Sequence, residues 1–105
     1  MRSILAAAAC GLLLASSAGM AGGDATAGRA KSEACLGCHG IPTYSNTYPT
    51  YHVPKISGQH ADYIVAALKA YRDGQRKHPT MTAQAMSMSE QDMADIAAFW
   101  QKQGK

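Results

Sequence analysis

The chain has 105 residues and a formal net charge of +3, with 47% hydrophobic and 16% charged residues. This length predicts one small domain rather than several. A positive charge this small argues against a nucleic-acid-binding protein and allows only modest electrostatic steering toward an acidic protein partner.

Residues 1–21 have the pattern of a secretory signal peptide. Arg2 gives a short positive start, residues 4–15 are almost wholly apolar or small, and residues 19–21 fit a cleavage site. The apolar run is too short for a transmembrane anchor. We therefore expect export to the periplasm and removal of this segment.

Two other processing sites fit less well. Cleavage after Ala18 is an alternative, and Cys10 gives a faint likeness to a lipoprotein site that comes early and lacks the usual large aliphatic residue. We expect residues 22–105 to form the mature domain, with no membrane insertion. Loss of Arg2 would lower the net charge from +3 to +2.

The first predicted helix runs from near Asp24 to Leu36. Asp24 is a good N-cap residue, and the alanines that follow favour helix. Gly28 inside the helix costs about 1 kcal/mol relative to alanine. It is either neutral or a place where another helix approaches closely.

The segment Cys35-Leu36-Gly37-Cys38-His39 has the attachment pattern of a c-type haem. Thiols at i and i+3 lie on one face of a helical turn, from which both can add to the vinyl groups at one porphyrin edge. The residue that follows supplies an axial nitrogen to the iron. We therefore expect one covalent haem c, held by Cys35 and Cys38, with His39 as an iron ligand.

Two other interpretations of the cysteine pair stay open. A redox dithiol usually lies in a βαβ pattern, and none is visible. Zinc would need two more ligands, and the candidates His52 and His60 lie outside the usual finger spacing. Removal of the signal peptide also removes Cys10, and the haem would bind the two remaining cysteines. No structural disulfide is therefore expected.

Residues 40–57 are predicted to form a long loop rather than helix or strand. The loop contains three prolines and three tyrosines: Pro42, Pro49, Pro54, Tyr44, Tyr48 and Tyr51. A mobile linker is one interpretation. The other is a loop that packs over the haem edge with its tyrosine rings buried and their hydroxyls on polar partners.

The second predicted helix spans about Gln59 to Asp73, and Gly74 is a natural stop. Its apolar stripe consists of Tyr63, Ile64, Ala67, Leu68 and Tyr71. This stripe is expected to face the core, which in this domain is the haem pocket.

Three methionines between the second and third helices are candidates for the second iron ligand. Thioether sulfur is soft and neutral, so beside His39 it favours ferrous iron and raises the reduction potential. Met81 is preferred because it lies in a predicted loop free to approach the iron. Met86 comes next, and Met88 fits a hydrophobic staple before the next helix.

Other roles for these residues stay open. The methionines could be flexible core fillers or a Cu(I) site. Each of His52, His60 and His78 could replace methionine as the axial ligand, although a lone histidine is more often a surface residue.

The third predicted helix opens at Ser89, with Asp92 completing a pair like a capping box, and ends near Gln103. Its buried stripe is Met93, Ile96, Ala97 and Trp100, with Phe99 beside it. No alternating strand is convincing. We predict an all-α domain of three main helices and a long loop around one haem. The chain has few apolar side chains outside the signal peptide, so the haem would form much of the hydrophobic core.

Taken together, the mature chain resembles the class I c-type cytochromes, in their small, soluble, monohaem bacterial periplasmic branch. The segments that carry the resemblance are residues 23–25, Gly28, 35–40, 54–59, Tyr63, Leu68, 71–76, Met81, 89–92 and Trp100. Residues 43–52 match the family only loosely.

The resemblance implies a role for several residues. Pro54 would accept the Nδ1 proton of His39, Gly28 and Phe99 would form the crossing of the terminal helices, and Met81 would be the distal ligand. Ile56 and Leu68 would line the haem pocket, and Arg76 would pair with a haem propionate.

The function expected is single-electron transfer without an independent catalytic site, in transient contacts with redox protein partners and as a monomer. Three alternatives remain. One is an electron-accepting subunit of a larger oxidoreductase. The second is a haem enzyme or gas sensor with an open distal side, and the third is a methionine-rich copper carrier.

Overall fold

The computed structural model describes residues 22–104, so the predicted signal peptide lies outside the described residues. Five helices and one two-stranded hairpin follow in chain order: α1 Ala25–Lys31, α2 Glu33–His39, β1 Ser45–Asn46, β2 Tyr51–His52, α3 Ala61–Asp73, α4 Pro79–Met86 and α5 Glu90–Gln101. The predicted all-α class is confirmed, with five helices in this part of the chain instead of three. None of them is long and apolar enough to cross a membrane.

The predicted first helix is two helices, with a break at Ser32. The Ser32 backbone has φ −99° and ψ 14°, and its N–H donates to the carbonyl of Arg29 instead of continuing the α-helical pattern. No glycine or proline marks this position, so composition gave no reason to expect a break. The break separates α1, which packs on α5, from α2, which carries the cysteines.

The crossing of α1 and α5 depends on Gly28. A Cβ atom added at Gly28 would collide with the carbonyl group of Asp95 and would lie 3.0 Å from the Cβ of Phe99. The backbones of α1 and α5 are therefore so close at this point that only glycine fits at position 28. The close approach expected of Gly28 and Phe99 is present.

The segment predicted as an irregular loop contains a short antiparallel hairpin. Ser45 pairs with His52, and Asn46 pairs with Tyr51. Strands of two residues are too short to show alternation in the sequence. The tyrosines differ from expectation, because Tyr44 and Tyr51 are half-buried whereas Tyr48 at the turn is 90% exposed.

Helix ends follow the predicted signals. Gly74 ends α3 in the left-handed conformation at φ 86°. Ser89 and Asp92 form a reciprocal capping box at the start of α5. The buried core lies between α3, α4 and α5 and consists of Ile64, Leu68, Ala85, Met93, Ile96, Ala97, Phe99 and Trp100.

Candidate functional site

The short helix α2 presents the two cysteines and the histidine of the attachment pattern. Cys35 and Cys38 are three residues apart on α2, and His39 is its last residue. All three side chains are half-buried and line one cavity. The ring of His39 meets the ring of Trp100 edge to face, with centroids 6.5 Å apart.

The orientation of His39 is set by the segment after the hairpin. Its Nδ1 lies 2.7 Å from the carbonyl oxygen of Pro54, so Nδ1 carries the proton and donates it. Nε2 is then the ring nitrogen that can offer a lone pair to a metal ion. A histidine held in this way has the tautomer and ring orientation that a metal ligand needs.

The cavity has a volume of about 460 Å³ and lies between α2, the hairpin, α3 and α4. Its wall is largely apolar and includes two residues that the sequence placed in the pocket, Ile56 and Leu68, together with Val53, Ile64 and Ile96. An apolar wall of this kind suits a large, flat, apolar cofactor.

Met81 lines the same cavity, but it does not lie in a loop as predicted. It is the third residue of α4, whose first position is Pro79 and whose N-cap is His78. Proline at the first helical position is a known start signal, yet histidine is not among the usual capping residues. The expectation of a free loop is therefore wrong, although Met81 still reaches the cavity.

The other two methionines differ in position. Met86 is 67% exposed and does not line the cavity. Met88 is half-buried, lines the cavity and packs on the core cluster that contains Met93. Their positions thus favour Met81 and Met88 over Met86 as the second iron ligand.

Arg76 lies on the cavity wall with its charge oriented by two tyrosines. Its guanidinium donates to the Tyr63 hydroxyl over 3.2 Å and stands 4.9 Å from the centre of the Tyr71 ring. The bond to Tyr63 raises the pKa of Arg76, so the side chain stays cationic. A fixed cation on an apolar cavity wall can pair with an anionic group of a cofactor.

The surroundings of Cys35 argue against a redox dithiol. Burial raises the pKa of the Cys35 thiol, while the nearby Ser32 hydroxyl acts in the opposite direction. A raised pKa disfavours the thiolate that such chemistry needs.

The zinc interpretation also fails on geometry. Within residues 22–104, no group of three or more histidine, cysteine or acidic side chains is arranged to hold a metal ion. His52 and His60 therefore do not complete a zinc site with the cysteines.

Of three residues beside Met81, only Thr80 was missed from the sequence, whereas Tyr51 and His78 had been given other roles. Tyr51, His78 and Thr80 line the cavity beside Met81. Tyr51 was expected in a loop over the haem edge and His78 was a rival axial ligand. No signal in the sequence pointed to Thr80.

The residues present fit a covalently bound haem. Two thiols at thioether spacing, an imidazole with a free Nε2 and a thioether sulfur line one apolar cavity. Soft sulfur and imidazole nitrogen are ligands that haem iron accepts.

Comparisons with known proteins identify the family to which the chain belongs. The family model described as Cytochrome c matches residues 25–103. Cytochrome c-554(548) of Halomonas halodenitrificans is 44% identical over 84 residues, which is 77% of this chain and 98% of that protein.

Other relatives are longer. Cytochrome c4 of Pseudomonas aeruginosa is 40% identical over 83 residues, which cover 79% of this chain but 40% of that protein. A protein of Thiomonas intermedia named thiosulfate dehydrogenase electron acceptor is 28% identical over 97% of this chain and 44% of its own length. The chain thus spans less than half of these two relatives.

The fold is also found in a solved structure. Cytochrome c4 of Acidithiobacillus ferrooxidans superimposes with a TM-score of 0.64 at 25% identity, covering 82% of this chain and 53% of that one. The chain belongs to the cytochrome c family, as a small bacterial class I c-type cytochrome that carries electrons on a c-type haem.

Proposed function

We propose that this chain is a periplasmic single-electron carrier with one haem, attached through Cys35 and Cys38 and ligated by His39 and Met81. The observation that carries the proposal is the shared cavity, which these four side chains line together. The bound haem supplies a one-electron ferrous–ferric couple.

On the proximal side, the protein fixes the orientation of the His39 ring and places a proton on Nδ1. The carbonyl of Pro54 accepts the Nδ1 proton of His39, which makes the ring more electron-rich at Nε2 and prevents it from rotating. A ligand that does not move between oxidation states keeps the reorganisation energy small.

On the distal side, Met81 supplies a neutral thioether. Neutral sulfur stabilises the lower charge of ferrous iron, so the reduction potential is higher than with a second imidazole. The apolar wall formed by residues such as Leu68 and Ile64 excludes water from this region. Arg76, held by Tyr63, would neutralise a propionate at the cavity wall.

A second candidate function is supported by one relative. The Thiomonas intermedia protein, which matches 97% of this chain, is named as the electron acceptor of thiosulfate dehydrogenase. The alternative is therefore an electron-accepting haem protein that works with a periplasmic oxidoreductase. Co-purification of a catalytic chain with the exported protein would favour it over a freely diffusing carrier.

The axial ligands are tested with methionine variants of the exported protein. A haemochrome spectrum first counts the covalent haem. We expect Met81→Ala to lose the sulfur-to-iron charge-transfer band of the ferric protein, because the substitution removes the proposed thioether ligand.

Met86→Ala is the matched control, since Met86 is exposed and does not line the cavity. It should keep the band. Loss of the band in Met88→Ala instead of Met81→Ala would transfer the ligand role to Met88, and absence of covalent haem would overturn the proposal.

A further inference from the structure

The helix that carries Met81 has few buried contacts of its own. Helix α4 has eight residues, of which only Ala85 is buried. Among the helices and strands of the described residues, the backbone of α4 lies close to that of α3 alone. Met81 lies in the first turn, one turn before Ala85, and is only partly buried against the core. Its position therefore also depends on the contacts that hold the first turn.

The side chain of Tyr51 contacts that first turn at two points. Its hydroxyl lies 3.2 Å from the Thr80 hydroxyl. Its ring meets the ring of His78 edge to face, with centroids 4.5 Å apart and planes at 84°. The two residues that Tyr51 contacts lie on either side of Pro79, immediately before Met81.

His78 transmits the contact to the ligand residue itself. Its Nδ1 accepts from the backbone N–H of Met81 over 3.4 Å, a long hydrogen bond that caps the helix. A ring that caps a helix must keep its orientation, and the edge-to-face contact with Tyr51 fixes that orientation.

Tyr51 can serve as an anchor because it lies in a bonded hairpin. It pairs with Asn46, whose side chain donates to the Pro49 carbonyl over 2.7 Å. The N–H of the buried residue Val53 donates to the Tyr44 carbonyl over 3.0 Å.

The same segment continues to Pro54, which accepts from His39. Residues 51–54 therefore contact the proposed proximal ligand at one end and the first turn of the distal helix at the other.

We propose that Tyr51 is a positioning residue for Met81, acting through His78 and Thr80 on the start of α4. It thereby sets how often the thioether leaves the iron and opens the distal side to another ligand. This inference rests on the proposed function, because it requires Met81 as the iron ligand.

The test adds imidazole to the ferric haem-loaded protein and measures the rate at which imidazole replaces the thioether. Loss of the sulfur-to-iron band reports this replacement. Tyr51→Phe and Thr80→Val each remove one hydroxyl of the same pair, so each should accelerate replacement roughly two- to tenfold. The double variant should be no faster than either single variant, because both delete one hydrogen bond. Tyr51→Ala, which also loses the ring contact, should be faster still.

Two controls separate positioning from general stability. Tyr48→Phe alters the exposed tyrosine of the same hairpin and should leave the rate unchanged. Ser89→Ala removes the N-cap of α5 and so lowers the free energy of unfolding of the whole domain. In buffer without denaturant, it should leave the rate of thioether replacement by imidazole unchanged.

The outcomes distinguish the two proposals. If the wild-type band is absent or survives in Met81→Ala, the ligand assignment fails. If that assignment holds but Tyr51→Phe and Thr80→Val exchange at the wild-type rate, the positioning role is wrong. It is also wrong if Tyr51→Phe accelerates replacement while Thr80→Val does not, since Tyr51 would then act directly in the cavity.

Discussion

A single buried carboxylate joins both ends of the domain. Asp95 on α5 accepts from the backbone N–H of Asp24 at 2.8 Å, from Lys31 at 2.6 Å and from the Gln91 amide at 2.8 Å. The Lys31 ammonium is the main cause that lowers the pKa of Asp95 from 3.8 to about 2. Lys31 also pairs with Asp92, and its own pKa is raised.

The depressed pKa of Asp95 predicts a specific dependence of stability on pH. A carboxyl group whose pKa falls on folding stabilises the protein above its ordinary pKa, and that contribution is lost as the pH falls through the folded value. We expect Asp95→Asn to lower the free energy of unfolding at neutral pH. The difference from wild type should narrow from about pH 3.8 down to about pH 2.

Denaturant unfolding of the haem-loaded protein at several pH values measures this difference. Asp62→Asn changes an exposed carboxylate on α3 and serves as the control. The stabilising role of ionised Asp95 would be contradicted by either of two results. One is a difference in free energy of unfolding between Asp95→Asn and wild type that stays constant down to pH 2. The other is the same pH-dependent difference in Asp62→Asn.

At the scale of elements, the crossing of α1 and α5 has no room for a side chain. The groups that a Cβ at Gly28 would meet are backbone atoms of Asp95, which cannot rotate away. The helices would have to separate, and separation would disturb the bonds that Asp95 makes.

Gly28→Ala should therefore lower the free energy of unfolding by about 1–3 kcal/mol. Gly37→Ala is the matched control, because a Cβ at Gly37 in α2 meets nothing within 4 Å. That control should be neutral or gain about 0.5–1 kcal/mol from reduced backbone entropy. Equal destabilisation of both variants, measured by denaturant titration, would show that the crossing tolerates a methyl group.

At the scale of the molecule, nine hydrophobic residues are buried within residues 22–104, and two of these are alanines. Such a core is small for an independent domain. The cavity of about 460 Å³ adjoins it, and four of the nine residues line that cavity: Val53, Ile64, Leu68 and Ile96. The cofactor should therefore supply a large share of the apolar contact area.

We expect a variant without the attachment cysteines, Cys35→Ala with Cys38→Ala, to lack cooperative thermal unfolding when it is prepared free of haem. Circular dichroism should show much less helix than in the haem-loaded protein under the same conditions. A sharp melting transition in the haem-free variant would mean that the polypeptide core is sufficient.

The sequence predicted those features that depend on local chemistry. The attachment pattern, the stop at Gly74 and the capping box at Ser89 each follow from residue type at a fixed spacing. The break at Ser32 could not be foreseen, because no helix breaker stands there and it depends on tertiary packing. Helix α4 was missed because its cap is a histidine held by Tyr51, a contact between segments 27 residues apart.

The contact between Trp100 and His39 has a consequence for the order of events during synthesis. Trp100 lies on the last described helix, where its carbonyl accepts from Gly58, while His39 lies on the second. A chain that emerges N-terminus first therefore presents His39 well before the ring that packs against it is available. The imidazole acquires this neighbour only after the last described helix has folded back onto the attachment segment.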